Sequence, residues 1–434
     1  LQPSAAEQGA RAAGAVAPPV GIARLLEWIY EADGWFDEAL VGVRDSSHVG
    51  REPGGRGVFS LGLVRKGCLL AWLPKSRLLS QRSRPAIRER ARGLVWPPHL
   101  RLDESERDLV VSFVAVAAAL AVEVRLGAAS AFHAHVETLP KECPQNLASA
   151  PEEVWSWLRS SPEGGLALWL EAALWGIRQL SSSLGLRPEE ERWAACTVMS
   201  RAFDHPGEGV VMYPLLDLLN HGWTAHIAFN ATSAVSAERG GCRGAGGRSP
   251  EDGPARGSDR VPGVGVVAAQ DLGPGDEIAW NYGLRSNVEL AVAYDFVVPG
   301  ASALTPLAVR LAEPVPRQEG CGQAWTAEDG QLTATVLLSG AISPSSLRDA
   351  LACLLERPSP GELGEAAPAT EWSTGDLVVL KATTRACSDL GAQWAEALRV
   401  VPESLSRSYP QVLAAAVEEE GRLRDCVRAS LAVS

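Results

Sequence analysis

The sequence predicts an α+β protein in which short β-strands frame a long helical insertion and a mostly α-helical domain closes the chain. Three observations predict it. β-Forming segments bounded by glycine and proline lie between Gly54 and Pro74 and again between Ala225 and Tyr282, helical periodicity dominates Arg88 to Phe203, and three long helical patterns follow Pro299. The 434 residues suffice for two domains, and at 46% hydrophobic they can fill sizeable cores. β-Strands on either side of the insertion must then pair across long sequence distances.

Taken in order, residues 1–21 read as a lead-in. They are alanine-rich, with Arg11 and the Pro18-Pro19 pair, and fit either a disordered segment or the remnant of a transit peptide. Ile22, Leu25, Leu26, Ile29 and Tyr30 fall at helical spacing and predict a first helix from Ile22 to about Ala32. Gly54-Gly55-Arg56-Gly57-Val58-Phe59-Ser60 then leads into Leu61 to Val64, a turn at Arg65-Lys66-Gly67, and Cys68 to Leu73, which predicts a β-hairpin behind a glycine-rich loop. Such a loop lets a backbone approach a ligand closely, or is a plain turn.

Within the insertion, helices are predicted at Arg107–Leu126, Pro151–Leu158, Leu166–Leu180 and Pro188–Phe203, with proline near two of the starts. Their tryptophans read as packing residues. Met212 to His221 is an apolar segment that carries Asp217, Asn220 and His221, polar groups that face one site or bond back to the chain. Ala225–Asn230 and Val264–Ala268 read as strands on either side of Ser236–Pro262, a polar segment read as a mobile surface loop.

Pro274 to Phe296 is the most informative stretch. Pro274, Gly275 and Asp276 supply a turn, Ile278 to Tyr282 a short strand, and Ser286 with Glu289 a capping box that starts a helix at Asn287. That arrangement pins Tyr282 between two rigid elements. Beyond Pro299–Ala303, read as the domain boundary, Leu304–Leu311 and Leu332–Leu338 could be strands, and helices are predicted at Ser346–Glu356, Asp376–Val400 and Gln411–Val433.

Composition narrows the function classes. A formal charge of −12 argues against general nucleic-acid binding, which needs clustered Lys and Arg. The eight cysteines show no CxxC pair, so they fit neither a zinc cluster nor a small disulfide framework, and a reducing compartment is expected. The most apolar run, Leu109–Val122, reads as a buried helix too short to span a bilayer.

In their order, Gly54-Gly55-Arg56-Gly57-Val58-Phe59, the Lys66-Gly67 turn, Ser200-Arg201-Ala202-Phe203, Asp217-Leu218-Leu219-Asn220-His221 and Tyr282-Gly283 with Arg285-Ser286-Asn287 resemble the SET-domain protein methyltransferases. More narrowly, they are similar to the branch typified by the Rubisco large-subunit lysine methyltransferase. The resemblance runs from about Ile22 to Leu431 and weakens after Pro299. It implies a mostly β SET core at residues 22–299, with the helical insertion at about 88–203 and the loop at about 236–262, and a helical substrate-binding domain at 300–434.

The resemblance also implies a cofactor, S-adenosyl-L-methionine, and no metal. Gly54, Gly55 and Arg56 would offer backbone groups to it, Asn220 would bond its amino-acid end and His221 its adenine. Arg201 would lie between cofactor and substrate, Asp217 and Tyr294 would line the substrate channel, and the Tyr282 hydroxyl would point at the transferring methyl. The implied activity is protein-lysine N-methylation of a soluble protein, the Rubisco large subunit or another abundant one, by a monomer in chloroplast or cytoplasm. The alternatives are a histidine acceptor or a binding module that has lost transfer. The cysteine-zinc cluster of the histone-directed branch is missing after Tyr282, which favours a non-histone target. An extra channel tyrosine also has no counterpart, Phe229 being the nearest aromatic, and Asp295 replaces a common glycine.

Overall fold

A computed structural model describes residues 20–46, 55–100, 102–142, 150–205, 207–230, 261–283, 285–298, 304–311, 325–328, 331–339 and 374–433. The first part runs α1 (Val20–Tyr30), β1 (Trp35–Phe36), β2 (Val41–Asp45), β3 (Arg56–Ser60), β4 (Leu69–Pro74) and β5 (Leu79–Ser80). The insertion follows as α2 (Pro85–Arg92), α3 (Glu104–Leu126), α4 (His133–Thr138), α5 (Glu152–Ser160), α6 (Gly164–Leu184) and α7 (Pro188–Arg201). β6 (Phe203–His205), β7 (Gly209–Met212), β8 (Asn220–His221), β9 (Ile227–Asn230), β10 (Gly263–Ala268), β11 (Glu277–Trp280) and α8 (Asn287–Tyr294) complete the core. The last part holds β12 (Leu304–Leu311), β13 (Trp325–Glu328), β14 (Gln331–Ser339), α9 (Thr374–Ala397), α10 (Glu403–Ser408) and α11 (Pro410–Val433).

The β-core is built from small sheets whose strands come from both sides of the insertion. One sheet has the order β1-β4-β10-β9, another β2-β3-β11-β8, and a third β5-β7-β6. Gly263 stands opposite Pro74 and Ile278 opposite Val58, so the expected long-range pairing is observed. The expected hairpin is not. Gly67 makes its turn at φ 82, but Leu61–Val64 is not a strand: Val64 makes a single bridge to Leu272, while β4 pairs with β1 and β10. A tight turn reverses the chain without obliging its flanks to pair, and each flank here pairs with a segment far along the chain instead.

Helix α3 is the axis of the insertion. Asp103 caps it by accepting from the Glu106 N–H while the Glu106 carboxylate accepts from the Asp103 N–H, and residues Val110 to Ala121 are buried without a break. Ser112, which interrupts that apolar run, accepts a hydrogen bond from the Val210 N–H at 2.8 Å and so joins the insertion to β7. Contrary to the reading of the apolar run as too short, α3 is long and apolar enough by length and composition to cross a bilayer. It is largely buried inside the protein instead, as a core helix is.

The C-terminal helices and the insertion share one core. Val154, Leu158 and Leu170 of the insertion pack with Val288, Ala291 and Val292 of α8 and with Leu380, Trp394, Val412 and Leu423 of α9 and α11. Trp157 Nε1 donates to the Ala397 carbonyl at 2.8 Å, which supports the packing role expected for the tryptophans. α9 and α11 are also joined covalently by Cys387–Cys426, and Cys68 and Cys196 are likewise disulfide-bonded. The expectation of reduced thiols is therefore overturned: residues 39 apart meet because two helices face each other, which spacing alone does not reveal. The predicted helix Ser346–Glu356, the boundary at 299–303 and most of the 236–262 loop lie outside the described residues.

Replacing Cys387 and Cys426 with serine is expected to lower stability by about 2–4 kcal/mol, read as a lower urea midpoint, because the bridge no longer restricts the unfolded chain. An unchanged midpoint would show that helix packing alone holds α9 to α11.

Candidate functional site

The site forms where β8 and β11 lie side by side. Their pairing is parallel, with Asn220 opposite Ala279 and His221 opposite Trp280, so residues from two distant segments share one sheet edge. Asn220 and His221 are buried, as is Asp217 in the 3₁₀ turn Leu216–Leu218 just before them. Asn220 Nδ2 donates to Glu277 Oε1 at 2.5 Å and lies 3.3 Å from the Arg56 carbonyl, while Ser46 Oγ donates to the same Glu277 carboxylate at 2.9 Å. Glu277 thus ties β2, β8 and β11 together. Gly57 fits tightly here: a Cβ at this position would meet Glu277 Oε1 at 2.4 Å and Asn220 Nδ2 at 3.1 Å.

Tyr282 follows β11 directly. Its hydroxyl donates to the Leu219 carbonyl at 2.6 Å and its backbone N–H to His221 Nδ1 at 3.3 Å. Its ring lies 4.7 Å from that of Tyr294 and 5.2 Å from that of His221. Gly283, at φ 104, then turns the chain toward α8 in a conformation that a side chain would strain. As the sequence predicted, Ser286 and Glu289 form a capping box: the Glu289 N–H donates to Ser286 Oγ at 3.1 Å and the Ser286 N–H to Glu289 Oε2 at 2.9 Å. Asp295 ends α8 in the left-handed conformation at φ 62 and accepts from Gln411 Nε2 at 2.6 Å.

A cavity of about 730 Å³ opens between this frame and the insertion, and Arg201, Asp217, Tyr282 and Tyr294 all line it. Those four predicted residues are brought together. Arg56, Asn220 and His221 do not line the cavity: Asn220 Nδ2 reaches the Arg56 carbonyl at 3.3 Å, and His221 Nδ1 accepts from the Tyr282 N–H. Gly54 lies outside the described residues. Phe229 does not line the cavity: it stacks on Tyr213 at 5.2 Å and abuts Trp280 at 4.8 Å in the β-core, so it does not stand in for the missing channel tyrosine.

Several residues escaped sequence reading. His135 Nε2 lies 3.2 Å from Asp217 Oδ2, with both side chains buried, and Arg201 Nη1 donates to the Asp217 carbonyl at 2.6 Å. Glu163, just ahead of α6, accepts from Ser286 Oγ at 2.9 Å across 123 residues of sequence. Pro162-Glu163-Gly164 reads locally as a turn, and the pocket it faces has no local signature. Burial first, and then the neighbouring Glu289, push Glu163 up to about 8. Burial likewise raises the Tyr294 phenol, with Arg285 opposing and Glu289 adding to the shift.

No protein-family model matches the chain, and no curated protein matches its sequence. Solved structures do. The crystal structure of the SET domain of LSMT bound to lysine and AdoHcy matches with a TM-score of 0.52 at 16% identity, covering 95% of this chain and 91% of that one. The same domain bound to MeLysine and AdoHcy gives 0.50 at 16% identity, over 96% and 92%. This likeness shows the fold, which is that of a SET domain, as the order of the motifs led one to expect.

The raised Glu163 has a consequence for stability. Between about pH 4.5 and about 8 the folded chain keeps a proton that the unfolded chain has lost, so Glu163 makes stability fall as pH rises through that window. Glu163→Gln, which keeps an acceptor for Ser286, is expected to flatten the decline in urea midpoint across it. Parallel pH profiles for wild type and variant would contradict the assignment.

Proposed function

We propose that the chain is an S-adenosylmethionine-dependent protein-lysine N-methyltransferase acting on a non-histone protein. One observation carries the reading. The Tyr282 hydroxyl and backbone bridge two sets of groups, the walled cavity with Arg201, Asp217 and Tyr294 on one side and the Asn220-His221 edge beside Gly55 and Arg56 on the other.

The second set fits the cofactor. Asn220 offers a buried amide, His221 an aromatic edge, and the Arg56 carbonyl approaches Asn220 where Gly57 leaves no room for a side chain. When bound, S-adenosylmethionine supplies an activated methyl group and a cationic sulfonium. Asn220, His221 and the Gly55–Arg56 backbone would hold it.

The chain's own residues would do the rest. The lysine amine must arrive neutral to attack, and the aromatic part of the cavity lining, Tyr282, Tyr294 and Trp280, favours that form by withholding water from the ammonium, against the pull of the carboxylates that share the lining. Tyr282 and Tyr294 would enclose the side chain and Tyr282 would orient the amine, since a phenol can donate or accept a hydrogen bond. The Asp217–His135 and Arg201–Asp217 bonds fix the cavity floor, so alignment is built in before the acceptor enters. A non-histone target is supported by the sequence after Tyr282, whose cysteines are isolated and form no cluster of the zinc-binding kind, and α8 is packed directly against α11, so that the C-terminal region adjoins the helix that carries Tyr294.

Purified protein with methyl-labelled cofactor is expected to label a protein in a cell extract, with the label recovered in lysine on amino-acid analysis. Recovery in histidine would change the acceptor. Tyr282→Phe is expected to lower turnover by about 10²-fold or more while changing cofactor affinity little; full activity in that variant would overturn the role given to Tyr282.

A further inference from the structure

The cavity holds more acid than base in its lining. Glu163, Glu289, Asp204 and Glu106 line it, against Arg201 and Arg285. Arg285 is engaged by Glu289, Nη1 to Oε1 at 3.0 Å, and Arg201 Nη1 by the Asp217 carbonyl. Glu163 is met by a neutral donor, the Ser286 hydroxyl, and has no ion pair of its own among the described residues, so it keeps its proton up to about pH 8. A second observation points to a ligand that brings a hydrogen-bond donor. The Asp217 side chain is fully buried and lines the same cavity, yet its Oδ1 has no hydrogen-bond partner among the described residues. A buried acceptor of this kind calls for a donor from the ligand.

We propose that Glu163 is the specificity-determining residue for a cationic acceptor segment, one that places a second positively charged side chain against Glu163 and Glu289 while the target lysine enters toward Asp217 and Tyr282. The proposal rests on the methyl-transfer reading for the identity of the lysine. Its electrostatics are consistent. The groups that face Glu163 are Glu289 on α8, Glu419 on α11, Arg285 and Ser286 ahead of α8; burial and the two glutamates hold its proton, and Ser286 and Arg285 partly oppose them. An incoming cation favours the ionised carboxylate and expels that proton. Discrimination should therefore sharpen as pH rises through about 8.

The test uses the full chain saturated with S-adenosylhomocysteine and two blocked alanine-glycine peptides with one central lysine, flanked by arginine in one and glutamine in the other. Calorimetry is expected to show the arginine peptide binding at least about tenfold tighter, a ratio expected from one close charge pair in a partly buried setting. Glu163→Gln should cut that preference to less than about threefold and remove its growth with pH. Equal affinities in the wild type, binding of neither peptide, or an undiminished preference in Glu163→Gln would overturn the proposal. Methyl transfer measured in parallel separates the two readings. Transfer to both peptides without preference would sink this inference and leave the activity standing, whereas a Glu163-dependent preference without transfer would do the reverse.

Discussion

The parallel pairing of Asn220-His221 with Ala279-Trp280 is the constraint on which the rest of the site depends. It joins segments about 60 residues apart, and a two-residue ladder alone could not offset the loop entropy of bringing them together. Side chains reinforce it. Glu277 accepts from Asn220 on one side and Ser46 on the other, and the Tyr282 hydroxyl closes onto the Leu219 carbonyl. Each of these bonds is buried or partly buried, where an unmade partner costs about 1–3 kcal/mol, so the register is strongly specified.

From that register the other features follow. β3 must run close enough to Asn220 that position 57 admits glycine and nothing larger without a shift. The Tyr282 ring is set against Tyr294, and α8, which carries Tyr294, is capped by Ser286 and held to the insertion through Glu163. Because α8 also packs into the core formed by α5, α6, α9 and α11, the insertion and the C-terminal helices together support the helix that carries Tyr294. The site is thus assembled from four regions of the chain, with no single loop able to carry it.

This assembly explains what could be read in advance. The α8 capping box and the insertion helices Glu104–Leu126, Glu152–Ser160, Gly164–Leu184 and Pro188–Arg201 announce themselves through spacing of a few residues, and the structure has them where they were expected. Glu163, His135 and Ser46 do not, since their partners Ser286, Asp217 and Glu277 are 123, 82 and 231 residues away. The supposed hairpin failed for the same reason in reverse: a local turn at Gly67 suggested local pairing, while Val64 and β4 found partners near the other end of the core. The Cys387–Cys426 bridge depends on which faces of two helices meet, and cysteine spacing carries no trace of it.

Direct titration of S-adenosylmethionine into the full chain by calorimetry bears most directly on whether this frame is a methyl-donor site. The wild type is expected to bind with a Kd between about 1 μM and 1 mM, the usual range for enzyme ligands. Asn220→Ala, which removes the amide beside the Arg56 carbonyl, should weaken binding by about tenfold or more. A wild-type chain that takes up no cofactor at several times the upper limit of that range would contradict the assignment of the Asn220-His221 edge.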